Sequence, residues 1–144
     1  MNEIEIFTDG SCTANKKGGW GWIATFRERK LCTGKGRAEK TTHQRMELFA
    51  VIDALETFAV CDLDIIIYSD SAYVVNCMNK KWYEKWETCG WMTTKGENVK
   101  NMELWERLLR TKCRKVKFKH VRAHGTDSGK FTTFNNMADV IAKR

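Results

Sequence analysis

Four carboxylates, Asp9, Glu47, Asp70 and Asp139, stand where packing alone would not put them. Asp9 comes late in the alternating segment Glu3-Ile4-Glu5-Ile6-Phe7-Thr8, directly before Gly10, whose missing side chain would let a substrate backbone come close. Glu47 has Ala50, Val51 and Ala54 at i+3, i+4 and i+7, so it belongs to the apolar stripe of a helix rather than to its solvent face. A lone charge buried there is costly, which implies a compensating cation or a cluster of partners. Asp70 ends Ile65-Ile66-Ile67-Tyr68-Ser69, at the carboxyl end of a strand, where α/β sheets usually bind ligands. Asp139 closes Asn135-Asn136-Met137-Ala138-Asp139. Singly, Asp9 and Asp70 also read as turn or cap residues, and Glu47 and Asp139 as rim residues. As a set of four they are harder to explain that way.

The elements that must position these acids follow from periodicity. Glu3 to Asp9, Gly19 to Arg27 and Lys30 to Ala38 read as strands, and the short polar joins between them predict antiparallel hairpins. From Thr42 to about Ala59, Leu48, Val51, Ile52, Leu55 and Phe58 recur at helical spacing, with Thr41 or Thr42 as the N-cap. Leu63 to Tyr68 is a short apolar run suited to a strand buried on both faces. A helix is expected from Ser71 to Asn79, and an aromatic and basic stretch, helical in part, from Lys80 to Trp91. Another helix covers Asn98 to Arg110 with Met102, Trp105, Leu108 and Leu109 inward. A last strand spans Lys115 to Lys119 and a closing helix Asn135 to Lys143. The order predicts an α/β fold, a mixed five-stranded sheet with helices packed on it.

The 144 residues, 42% hydrophobic, suit one compact domain over 1–144. No apolar run is long enough to span a membrane, and the start has no signal-like region, so a soluble, cytoplasmic (intracellular) protein is expected. Cys12, Cys32, Cys61, Cys77, Cys89 and Cys113 are scattered without a C-x-x-C pair, which predicts reduced thiols rather than a disulfide framework. His43, His120 and His124 do not pair with them at zinc-site spacing. The net charge of +7 is uneven. Residues 1–70 hold 9 Lys and Arg against 11 Asp and Glu, and residues 71–144 hold 16 against 7. One-sided basic charge is the footprint of a phosphate-backbone binder, though a basic surface also serves solubility.

Five motifs carry a family resemblance over nearly the whole chain: Thr8-Asp9-Gly10-Ser11, Arg45-Met46-Glu47-Leu48, Tyr68-Ser69-Asp70-Ser71, Val121-Arg122-Ala123-His124-Gly125, and Asn135 through Asp139. With Gly90-Trp91 and Val99 through Trp105, and in this order, they resemble type 1 ribonuclease H. The resemblance implies an endonuclease that cuts the RNA strand of RNA–DNA hybrids, leaving 5′-phosphate and 3′-hydroxyl ends. It implies that Asp9, Glu47, Asp70 and Asp139 hold two Mg2+ ions, with Mn2+ as a substitute. Hard cations prefer oxygen ligands, and a phosphodiester needs both its attacking water and its departing oxygen stabilised. His124 resembles the family's mobile histidine, which assists proton movement or product departure.

The same resemblance implies that Asn15 and Gln44 touch the minor groove, where a 2′-hydroxyl separates RNA from DNA, and that Thr42 meets a DNA-strand phosphate. Gly10, Ser11 and Asn135 join them as substrate-side residues. His43 stands where asparagine is common, which predicts weaker or pH-sensitive groove contacts. Trp82 and Trp86, at i and i+4 among Lys80, Lys81 and Lys85, suit a handle against the hybrid, or the packing of that handle onto the body. Glu87, Thr88 and Cys89 occupy places that are Lys and Arg in basic-handle members, so the handle should be weaker. Lys115, Lys117 and Lys119 read as a solvated strand edge that resists aggregation. The loop from His124 to Asp139, with Gly125 and Gly129, is longer than many in the family and suggests mobility beside the active site. The expected partner is the hybrid and the expected state a monomer. Met1 close to the first strand favours a free-standing enzyme. Two other classes share such a fold: a resolvase- or transposase-type nuclease, and an inactive binding module, which the presence of all four acids opposes.

Overall fold

A computed structural model describes residues 3–111, 116–121 and 130–143. Strands β1 (Glu3–Cys12), β2 (Gly18–Phe26) and β3 (Arg29–Ala38) are followed by α1 (His43–Thr57), β4 (Asp64–Ser69), α2 (Ala72–Asn79), α3 (Trp82–Thr88), α4 (Met102–Thr111), β5 (Val116–His120) and α5 (Lys130–Lys143). The sheet order is β3-β2-β1-β4-β5. The first two pairs are antiparallel hairpins, and β4 and β5 add in parallel, giving the expected mixed sheet. Between β2 and β3 only Arg27 and Glu28 turn the chain, both with positive φ (52° and 67°), the twist that a two-residue hairpin needs.

Alternation in β1 divides the molecule. Ile4 and Ile6 point to the face covered by α1, joining Trp22, Leu48, Val51, Ile52, Leu55, Ile65, Ile67, Trp105 and Leu108 in the main core. Phe7 points the other way, stacking on Tyr68 at 4.7 Å and meeting Phe134 of α5 at 5.3 Å. Two aromatic residues of its own therefore explain why α5 begins at Lys130, five residues before the expected Asn135. Phe134 packs with the second cluster around Phe7, Ile23, Ile66 and Ala138, and Phe131 stands 5.0 Å from Tyr68. Ile65, Ile66 and Ile67 are all buried, as a strand covered on both faces requires.

Thr42 is the N-cap of α1, its hydroxyl accepting from the Arg45 N–H at 3.2 Å. The aromatic stretch from Lys80 to Trp91 is helical in part, as expected, forming α3 over Trp82–Thr88. α4 starts at Met102, four residues later than expected, and buries Leu104, Trp105 and Leu108. β5 is the sheet edge, with Lys117 and Lys119 exposed, and Lys117 reaches Glu3 at 3.8 Å. Lys112, Arg114, Lys115, Arg122 and the loop after His124 lie outside the described residues. The described cysteines, Cys12, Cys32, Cys61, Cys77 and Cys89, are free thiols. Among the described residues no helix is long and apolar enough to cross a membrane.

Candidate metal centre

The parallel pairing of β1 and β4 runs to Thr8 opposite Ser69, so Asp9, still within β1, and Asp70, just past the end of β4, both follow the last paired residues of the two strands. Glu47 comes to them from the first turns of α1. That helix approaches β1 so closely that a Cβ on Gly10 would lie 2.4 Å from the Glu47 backbone N and 2.5 Å from the Met46 carbonyl carbon. The space the sequence suggested for substrate beside Gly10 is thus filled by the backbone of α1. The Gly10 N–H donates to Asp9 Oδ1 at 3.0 Å and to Glu47 Oε1.

One carboxylate oxygen each from Asp9, Glu47 and Asp70 lies within 4.8 Å of the others. Asp9 is 3% exposed and Glu47 2%. Burial, a hydrogen bond with Asp139 and the charge of Asp70 push the Asp9 carboxyl up to about 8. Burial also holds Glu47 well above the usual carboxylate range, reinforced by the charges of Asp70 and Asp9. Glu47 Oε2 is buried and has no hydrogen-bond partner among the described residues. Three converging acids, two of them deeply buried and one with an orphaned oxygen, form a donor set that fits a hard divalent cation, because a cation relieves both the mutual repulsion and the unmet acceptor.

The turn carrying Asp70 is held at both ends. Ser69 Oγ accepts from the Ser71 N–H at 3.0 Å, Ser71 Oγ caps α2 by accepting from Val74 N–H at 3.2 Å, and Val121 N–H donates to Ser69 O at 2.9 Å. The His120 Nε2 lies 3.1 Å from Asp70 O. Asp139 arrives on α5, whose last turn lies against β2 where Gly19 and Gly21 have no side chains. A Cβ there would be 2.4 Å from Ala142 O or 2.6 Å from Ile141 Cγ2. Asp139 is hydrogen-bonded to Asp9 and pairs through Oδ2 with Lys143 Nζ at 3.2 Å.

These acids open onto a cleft of about 500 Å3 lined by Asp9, Gly10, Ser11, Cys12, His43, Gln44, Asp70, Ser71, Ala72, Tyr73, Asp139 and Lys143. Gly10, Ser11, His43 and Gln44 therefore share the cleft with three of the acids. Glu47 lies beneath its floor, in contact with Gly10 and Asp9. Asn15 is exposed in the β1–β2 turn and Thr42 is exposed at the start of α1, both off the lining. Asn135, one turn before Asp139, is 2% exposed and its Oδ1 has no hydrogen-bond partner among the described residues. His124 lies outside the described residues. On the handle, Trp82 is 39% exposed, with Lys80 Nζ 6.0 Å from its ring centroid. Trp86 is half-buried between Trp91 and Trp105, at 5.9 and 5.7 Å. Sequence reasoning did not single out Cys12, Tyr73 or Lys143 as cleft residues. Only Lys143 carried a usable signal, four residues beyond Asp139 on one helix.

The RNase H family profile matches residues 1–144. The chain is 42% identical to the Ribonuclease H of Caldicellulosiruptor saccharolyticus, covering 99% of this chain and 95% of that protein. It is 38% identical to the Ribonuclease H of Syntrophomonas wolfei, covering 99% and 95%. Among solved structures it resembles the foamy viral protease-reverse transcriptase in complex with RNA/DNA hybrid, with a TM-score of 0.85 and 20% identity, covering 97% of this chain and only 19% of the viral one. The chain belongs to the ribonuclease H family, and is an endoribonuclease.

Proposed function

We propose that the protein hydrolyses the RNA strand of RNA–DNA hybrids at the acidic cleft with two divalent ions, Mg2+ in the cell, and that the whole chain works as one cytoplasmic catalytic domain. The observation that carries this reading is the convergence of Asp9, Glu47 and Asp70 within 4.8 Å, with Glu47 2% exposed and one of its oxygens unmet. Asp9, Glu47, Asp70 and Asp139 would hold the ions, and bound ions would stabilise the attacking water and the departing 3′-oxygen. Water adds to phosphorus as the P–O3′ bond breaks, leaving a 5′-phosphate and a 3′-hydroxyl.

The chain's own residues do the remaining work. The buried carboxylates give up their protons to become ligands, and the Gly10 N–H keeps Asp9 and Glu47 aimed at one point. Gln44 and His43, in the first turn of α1 and on the cleft wall, read the groove with Asn15, selecting the strand that carries 2′-hydroxyls. Trp82 and the lysines around it hold the backbone beyond the cut. His124 moves a proton at the leaving group. The complex of the viral relative with RNA/DNA hybrid supports the substrate class. Hybrid, duplex DNA and single-stranded RNA incubated at equal magnesium test it, with cleavage of the hybrid's RNA strand alone expected. Equal cutting of duplex DNA would sink the proposal.

A further inference from the structure

Lys143 is the one Lys or Arg among the described residues that line the cleft. Its ammonium lies 3.2 Å from Asp139 Oδ2, and its side chain is 54% exposed against 19% for Asp139. Aspartate and lysine at i and i+4 face each other on one side of the helix, and a cation in the last turn also suits the helix dipole. The docking of α5 sets where this pair sits. Ala142 and Ile141 press on the β2 backbone at Gly19 and Gly21, so the residue that follows is delivered to the cleft mouth rather than to open solvent. The lysine stem is long and flexible, so the ammonium is anchored at its Cα yet free to leave the carboxylate.

Asp139 therefore already has a cation. The other acids of the cluster differ in this respect: Asp9 and Glu47 meet the Gly10 N–H and other carboxyl groups, and no ion pair with either is seen among the described residues. We propose that Lys143 is an internal competitor for the divalent ion at Asp139, a tethered cation that must be displaced before Asp139 can act as a ligand. Metal affinity on the Asp139 side of the cleft is set by that exchange. The displaced ammonium stays one helical turn away, so the cleft keeps a positive charge facing the incoming phosphates when the site is full. This inference rests on the proposed metal centre.

The test is calorimetric titration of Mn2+ into the nucleic-acid-free protein, compared across Lys143→Met, Lys143→Arg and Lys117→Met. Lys117 pairs with Glu3 at the far sheet edge and controls for loss of one positive charge from the protein as a whole. Because the pair is partly exposed, removing its cation should tighten Mn2+ binding by about two- to fivefold. Lys143→Arg and Lys117→Met should match the unmodified protein, and thermal melts should confirm that all four fold. Unchanged or weaker binding in Lys143→Met overturns the inference, as does equal tightening in Lys117→Met, while both leave the metal centre intact. Failure of the unmodified protein to bind Mn2+ at all overturns the metal centre itself, and this inference with it.

Discussion

An alanine at position 10 would put a methyl carbon 2.4 Å from the Glu47 N and 2.5 Å from the Met46 carbonyl carbon, with Glu47 Oε1 at 2.9 Å. The first two are backbone atoms of α1, so no rotamer change relieves the contact. Strand and helix must separate by about 1 Å to restore ordinary van der Waals distance. Overpacking of this kind costs about 1–3 kcal/mol. Separation also loosens the hydrogen bond from Gly10 N–H to Glu47 Oε1, worth about 0.5–1.5 kcal/mol to a carboxyl that burial keeps protonated. Together these give roughly 2–4 kcal/mol, or a fall in Tm of about 5–10 °C for a chain of this size. Because the displaced element carries Glu47, Mn2+ affinity should fall in the same variant, at temperatures where it remains folded. Circular-dichroism melts and Mn2+ titration measure the two effects. Gly90→Ala serves as the contrast: Gly90 has φ 64° and, among the described residues, nothing within 4 Å of the place a Cβ would occupy, so it should lose about 1–2 kcal/mol from backbone strain and keep its metal affinity. A Gly10→Ala protein that melts within about 2 °C of the parent and binds Mn2+ equally would refute the claim that this glycine seats α1.

Asp70→Asn should abolish hybrid cleavage across a magnesium series while raising the Tm of the metal-free protein, because Asp70 is a source of the repulsion on both Glu47 and Asp9. His124→Ala should be milder, and near-normal turnover in Asp70→Asn would remove Asp70 from the metal set. Asp9, raised from 3.8 to about 8, holds a proton in the folded protein that the unfolded chain releases. Its contribution to stability is therefore full below pH 3.8 and is lost as pH rises to about 8, so metal-free melts should decline over that window. Mg2+ should flatten the decline, and a metal-free Tm rising across the window would contradict the assignment. Trp82→Ala should raise the Michaelis constant for hybrid with little change in Tm, whereas Trp86→Ala should lower Tm as well, because it sits between Trp91 and Trp105. Equal melting of the two variants would place both rings in the same environment.

The strands were legible because a half-buried chain alternates, and Ile4, Ile6 and Phe7 divided between the faces as their spacing predicts. Glu47 was legible for the opposite reason, as a charge on an apolar stripe, and its 2% exposure follows from that position. The early start of α5 was not, since Phe131 and Phe134 owe their helical register to Phe7 and Tyr68, contacts far away along the chain. Gly10 illustrates the same limit: a glycine before an acid resembles a substrate approach, and only the packed structure brings the backbone of residue 47 into that space. Lys143 stood four residues beyond Asp139 in the expected closing helix, but only the docking of α5 against Gly19 and Gly21 brings it to the cleft.

The acids at positions 9, 47, 70 and 139 are drawn from β1, α1, the end of β4 and α5, so they emerge from the ribosome in that order. In the folded protein Asp70 meets Asp9 through the parallel pairing of β4 with β1, and α5 packs on both strands of the β1–β2 hairpin. A growing chain thus carries its first three acids well before the fourth. On the proposed chemistry, hydrolysis waits for α5, so a chain emerging beside messenger RNA has its full set of ligands only once residues 130–143 have been made.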